Sequence, residues 1–220
     1  MSIVLTKNYQ APPFCKKEIL RYAGCKNADA DIDGLLNSCI KEAENCFTYK
    51  VCYTELDLKI CENLCDFGLF KVESKGLSTN LKDCKKVLLF AATVGVDIDR
   101  LIGKYSRISP SKALMFQAMG AERIEALCDL FCADFEQNNG VFLKPRFSPG
   151  YSDLSLSVQK DVFRLLDCSK NIGLSLNDSL LMSPSKSVTA FAGITDSGSK
   201  DTLNKCSLCQ KVDCSFRGKI

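Results

Sequence analysis

Residues 146–151, Arg-Phe-Ser-Pro-Gly-Tyr, are the most chemically pointed grouping in this sequence. A permanently charged guanidinium follows the apolar run Val141-Phe142-Leu143. Pro149 fixes φ and Gly150 can take φ > 0, so the pair dictates a turn. Tyr151 then sets a ring with a polar tip directly after that turn. An arginine at a strand end, beside a glycine-opened backbone, can grip a carboxylate through two parallel N–H bonds while backbone groups meet the same ligand. The competing reading is a surface turn with a solvated arginine.

Three further groupings have residue types that could carry chemistry. Cys206, Cys209 and Cys214 form a C-x2-C-x4-C pattern on a tail with few apolar neighbours. Such spacing suits thiolate ligation of an iron–sulfur cluster or of zinc, although no fourth ligand is evident and three free surface thiols would look the same. Glu122 and Glu125 share a helical stretch; helix carboxylates are solvated by default, so a role at a ligand edge needs a partner from elsewhere. The run from Gly193 to Lys200 reads G-x-x-x-x-G-S-K, with Ser and Lys in the wrong order for a phosphate loop and no helix following.

Composition narrows the chemistry. The 220 residues include no histidine, which excludes Ser-His-Asp and Cys-His catalysis and any His-ligated metal or haem built from this chain alone. A hydrophobic content of 46% and a charged content of 25% are those of a globular protein. The net charge of +3 argues for neither nucleic acid nor a membrane surface. No apolar run approaches the ~20 residues that span a bilayer, and the first ten residues lack a secretory pattern. A cytoplasmic location is therefore expected. Of the 14 cysteines, Cys39, Cys128 and Cys132 fall on apolar helix faces, where a thiol acts as a small hydrophobe.

The elements that must position these groups follow from periodicity. Residues 1–28 read as an irregular arm with a short helix over 16–22. Residues 29–45 carry Ile32, Leu35, Leu36, Cys39, Ile40 and Ala43 on one helical stripe. Phe47, Tyr49, Val51 and Tyr53 alternate as in a strand, continued by Leu56, Leu58 and Ile60, with 60–65 open to a helical reading. Residues 87–92 are a buried strand and 97–105 a helix. Ser109-Pro110 opens the longest helix, with Ser as N-cap and Pro at its first position, running to about residue 135; Leu114, Met115, Ala118, Ala121, Leu127, Phe131 and Phe135 make it apolar around much of its girth, as in a core helix. Residues 141–144 lead as a strand into the Arg146 turn. A helix over 157–166 and strands over 180–182 and 187–194 complete the pattern, and 196–204 is a polar linker. Without regular βαβ alternation the class is α+β.

The second half carries a resemblance. The stretch 114–127, then Arg146-Phe-Ser-Pro-Gly-Tyr151, a helix through Phe163-Arg-Leu-Leu, and Ser179-Leu-Leu-Met-Ser-Pro-Ser-Lys-Ser-Val188 together resemble the reactivation (activation) domain of cobalamin-dependent methionine synthase, which carries R-x-x-x-G-Y and later S-x-x-M-x-P-x-x-S-V. The likeness spans about residues 85–195. It implies a single bent α+β domain with mixed or antiparallel strands and a long core helix. Residues 1–80 would be its N-terminal part, 81–195 an S-adenosylmethionine-binding core, and 196–220 a cysteine-containing tail.

The resemblance also implies a ligand and a reaction. Arg146 would pair with the methionyl carboxylate of S-adenosylmethionine, Ser148, Gly150 and Tyr151 would frame it, and Glu125 matches the family's helical acidic residue. Inactive cob(II)alamin, reduced by a flavodoxin-like or ferredoxin-like donor, would take the methyl group. The sequence departs from the family in having no D-x-H-x-x-G corrinoid segment, so it would act on a separate corrinoid protein, most simply methionine synthase or a related methyltransferase. The cysteine tail stands where the family has a tyrosine-containing one. A non-catalytic docking partner and an iron–sulfur redox protein with a vestigial ligand site are the alternatives.

Overall fold

A computed structural model describes residues 3–25 and 29–196. The first half of the chain runs β1 (Leu5–Tyr9), α1 (Lys16–Tyr22), α2 (Ala30–Ala43), β2 (Tyr49–Asp57), β3 (Lys59–Cys61), β4 (Leu64–Asp66), β5 (Lys71–Glu73) and α3 (Lys75–Asn80). The central part is β6 (Lys86–Thr93), α4 (Asp97–Ile108), α5 (Pro110–Asn139) and β7 (Phe142–Leu143). A 3-10 turn, Leu156–Val158, enters α6 (Gln159–Leu166), then α7 (Cys168–Ile172), β8 (Ser175–Leu176), β9 (Met182–Ser183) and β10 (Ser187–Thr195).

The fold is α+β. Five strands make an antiparallel sheet in the order β1-β2-β6-β10-β7. β6 lies at its centre, and Val87 to Thr93 are all buried because helices or loops cover both faces. That two-sided burial is why its sequence reads as an unbroken apolar run. On one face Val51, Leu88, Phe90 and Ala92 pack against Leu36, Met115, Leu127 and Phe131 from α2 and α5. On the other, Cys52, Leu89 and Phe191 pack against Leu77, Val162, Leu166 and Ile172. β1 and β2, from before residue 81, thus belong to the same sheet as β6 and β10.

Several elements differ from the sequence reading. The arm over 1–28 contains β1, whose side chains are all exposed or half-buried, so no apolar alternation marks it; it is held by backbone pairing to β2. Residues 60–65 form part of a β3–β4 hairpin, with Glu62 at φ 55°. α3 begins at Ser74, whose hydroxyl accepts from the Leu77 N–H at 3.0 Å. α5 extends to Asn139 and stops where Gly140 takes φ 64°, a left-handed C-cap. Ser109 stands at its N-cap position, yet makes no capping side-chain bond, and Leu114 is 52% exposed on a helix that is otherwise largely packed.

Candidate functional site

Strand β10 is where both motif segments meet. The turn after β7 joins its edge through Phe147, whose N–H and carbonyl both pair with Phe191, at 2.8 and 2.9 Å. The 179–188 segment leads into its start. There Ser185 donates from its N–H and hydroxyl to Asp99 of α4 at 2.7 and 2.6 Å, and Ser187 donates to Thr93 Oγ1 or the Pro184 carbonyl, each at 2.8 Å. Lys186 lies across Gly120 of α5 and donates to Gln117; a Cβ at position 120 would come within 2.8 Å of its Cγ.

The turn itself is closed by its own backbone. Ser148 accepts from the Tyr151 N–H at 3.1 Å, Gly150 donates to Leu154 at 2.8 Å, and Leu154 donates to Tyr151 at 3.0 Å. Gly150 holds φ 86°, where a side chain would also crowd Leu156 at 3.1 Å. Asp153 fastens the turn to α3, accepting from Ser74 Oγ at 2.6 Å and from the Lys75 and Gly76 N–H groups at 2.7 and 3.1 Å. Those bonds, the Ser74 hydroxyl first, hold the Asp153 carboxyl below the ordinary aspartate range.

Arg146 and Phe147 part company. Phe147 enters the core on the face that also buries Leu77 and Val162, and Tyr151, 48% exposed, stacks edge-on against it with ring centroids 5.2 Å apart. Arg146 leans to the opposite side, onto α5. Its Nη1 donates to Asp129 at 2.6 Å and its Nη2 to Glu125 at 2.8 Å. Burial works against its charge, but the Asp129 and Glu125 carboxylates more than offset this and hold its pKa above the ordinary arginine value. Burial raises the Cys128 and Cys132 thiols, so they face the guanidinium as neutral groups. Glu125 also faces Tyr22 of α1, whose hydroxyl is raised by burial and then by that carboxylate.

The structure therefore joins Arg146 to Glu125 directly and places Ser148, Gly150 and Tyr151 in the adjoining turn. Asp129 was not read from the sequence, although it lies four residues after Glu125, the spacing that puts two side chains on one helix face. Glu122 is not solvated: it is buried, paired with Arg123, and accepts from the Cys15 N–H at 3.1 Å. Cys206, Cys209 and Cys214 and all but the first residue of the 196–204 linker lie outside the described residues. Among the described residues no group of three or more Cys, Asp or Glu is placed to hold a metal ion, and no helix is long and apolar enough to cross a membrane.

A concavity of about 590 Å³ lies elsewhere, at the far end of β10, between Glu55, Lys86, Phe135, Val141 and Ile194. Its lining mixes charges of both signs without a fork like that of Arg146. The charge arrangement at the turn is the more specific feature.

Residues 77–213, more than half of the chain, match the family model described as vitamin B12 dependent methionine synthase, activation domain. Among solved structures the chain is similar to the crystal structure of the MetH reactivation domain bound to AdoHcy, with a TM-score of 0.64 and 12% identity over 86% of this chain and 78% of that one. At that identity the likeness concerns the fold. No curated protein matches the sequence.

Proposed function

This chain belongs to the activation-domain family of vitamin B12-dependent methionine synthase, and we propose on that premise that it binds S-adenosylmethionine at the Arg146 turn to support reductive methylation of cob(II)alamin on a separate corrinoid protein. The observation that carries this reading is the Arg146 guanidinium, 14% exposed and fixed against Glu125 and Asp129 beside the Gly150 turn. An α-amino acid head group needs one cation for its carboxylate and one anion for its ammonium, and these lie in contact here. Arg146 would take the carboxylate through its planar fork. Glu125 would take the ammonium, and the backbone and ring of Gly150 and Tyr151 would frame the ligand.

Little acid–base work is required. The partner's corrinoid, once reduced by an electron from a flavodoxin-like or ferredoxin-like protein, would be the nucleophile and would accept the methyl group. The methyl group leaves S-adenosylmethionine and S-adenosylhomocysteine remains. The residues of this chain orient the methyl donor. A chain without histidine can do this. Calorimetric titration with S-adenosylmethionine, followed by methyl transfer to a cob(II) methionine synthase with a reduced donor, tests the reading. Saturable binding and transfer are expected; no binding overturns it. The docking-module alternative draws on the same ion pairs, because they satisfy Arg146 without a ligand, and it predicts no such affinity.

The tail Cys206, Cys209 and Cys214 is proposed to hold an iron–sulfur cluster or zinc. Thiolates so close in sequence repel one another unless a cation compensates, and ligation couples to the ordering of a polar segment. Metal analysis of anaerobically prepared protein should find about one site per chain. It should find none after all three are changed to Ser, with S-adenosylmethionine binding kept. Metal-free, fully active wild-type protein would remove this part of the proposal.

A further inference from the structure

Arg146 is engaged before any ligand arrives. Nη1 donates to Asp129 at 2.6 Å and Nη2 to Glu125 at 2.8 Å, so an incoming carboxylate seeking the fork has to take the place of one of them. The two are unequal. The Glu125 side chain is 45% exposed and is also flanked by Tyr22 of α1. The Asp129 side chain is 72% exposed, one helical turn further along α5. An exposed carboxylate released from an ion pair recovers its hydration, and exposed pairs are weak to begin with.

We infer that Asp129 is a resident stand-in for the ligand's carboxylate: it occupies Nη1 of Arg146 in the free protein and is displaced by the α-carboxylate of S-adenosylmethionine while Glu125 stays in place. The inference rests on the reading of the Arg146 turn as the S-adenosylmethionine site. The exchange is carboxylate for carboxylate, so the largely buried guanidinium is not left unpaired, which would be the costly alternative. Asp129 thereby becomes a specificity residue. A ligand with a carboxylate can evict it; one without must leave it where it is.

Simple electrostatics predicts the opposite sign. S-adenosylmethionine carries a carboxylate, an ammonium and a sulfonium, one net positive charge, so deleting a nearby negative charge should weaken its binding. Competition predicts that the same deletion tightens it. The experiment is calorimetric titration of the wild-type chain, Asp129→Asn and Asp129→Glu with S-adenosylmethionine and with its decarboxylated analogue. Asp129→Asn should bind S-adenosylmethionine about two- to fivefold more tightly than wild type, the range an exposed ion pair supports. Asp129→Glu should resemble wild type, and the decarboxylated analogue should gain nothing from Asp129→Asn. Binding of S-adenosylmethionine by wild type that is unchanged or weakened in Asp129→Asn overturns this inference and leaves the site in place. An equal gain for both ligands also overturns it, since the carboxylate would then play no part. Binding by neither protein removes the site reading and the inference together.

Discussion

Two arginine–carboxylate assemblies lie along α5, one made by Glu122 and Arg123 and the other by Glu125, Asp129 and Arg146. In the first, Arg123 is wholly buried and Glu122 nearly so. Every direction is filled: Arg123 donates to Glu122, to the Pro12 carbonyl and to the Pro13 carbonyl at 2.8 Å, and its guanidinium stacks over Phe14 at 4.2 Å. Burial opposes its charge, but Glu122 and Tyr49 hold it protonated. In the second, the arginine is largely covered while both carboxylates open to solvent. The first assembly fastens the 12–15 segment to the helix and leaves no place for a ligand. The second has the same chemistry with an open side. Charge and residue type alone do not separate a sealed fastener from a pair that a ligand could reach; the solvent exposure of the anions does.

Breaking the closed assembly should have the largest effect. Arg123→Ala leaves a buried carboxylate unpaired, and loss of about 3–5 kcal/mol of stability is expected in denaturant titrations. A loss under 1 kcal/mol would mean that water reaches Glu122 and that the contrast drawn here is false. The open assembly should answer differently. Arg146→Ala should cost S-adenosylmethionine more than tenfold in affinity, from a charge-assisted pair worth roughly 1.5–3 kcal/mol, with the fold kept. Arg146→Lys should restore only part, because a point charge lacks the fork. Unchanged affinity in calorimetry would take Arg146 out of the site. The smallest change is expected at Tyr151: Tyr151→Phe should bind nearly as wild type and Tyr151→Ala less well if the ring frames the ligand. Equal losses would point to the hydroxyl.

Much of this was legible from sequence. The Ser109-Pro110 entry, the apolar stripe behind it and the run at 87–92 announced α5 and β6, because each is deeply packed and packing leaves a period. Pro149 with Gly150 announced the turn, because proline fixes φ and glycine readily takes the positive φ found there. β1 was illegible since its pairing is made by main-chain groups, which every residue carries. The Glu122-Arg123 pair was also hidden. Neighbours on a helix diverge by about 100°, so adjacency suggests no contact. Only the arrival of Pro12 and Pro13 from far along the chain gives Arg123 its acceptors. Asp129 was within reach of the i, i+4 rule but needed the Arg146 side chain to give the spacing a meaning.

The unequal stitching of the sheet has a mechanical consequence. β6 is paired along its whole length on both sides and sealed on both faces, whereas the outer side of β10 is held by the shorter 142–147 segment, through Phe142, Leu143, Lys144 and Phe147. Local opening costs least where backbone pairs are few and exposed, and most at a doubly paired centre. The rim that carries the Arg146 turn is therefore expected to part from β10 and close again more readily than the keel formed by β2, β6 and the inner half of β10. A methyl donor that must be admitted, and a spent one released, would then be exchanged by a hinge at the margin and not by any loosening of the whole.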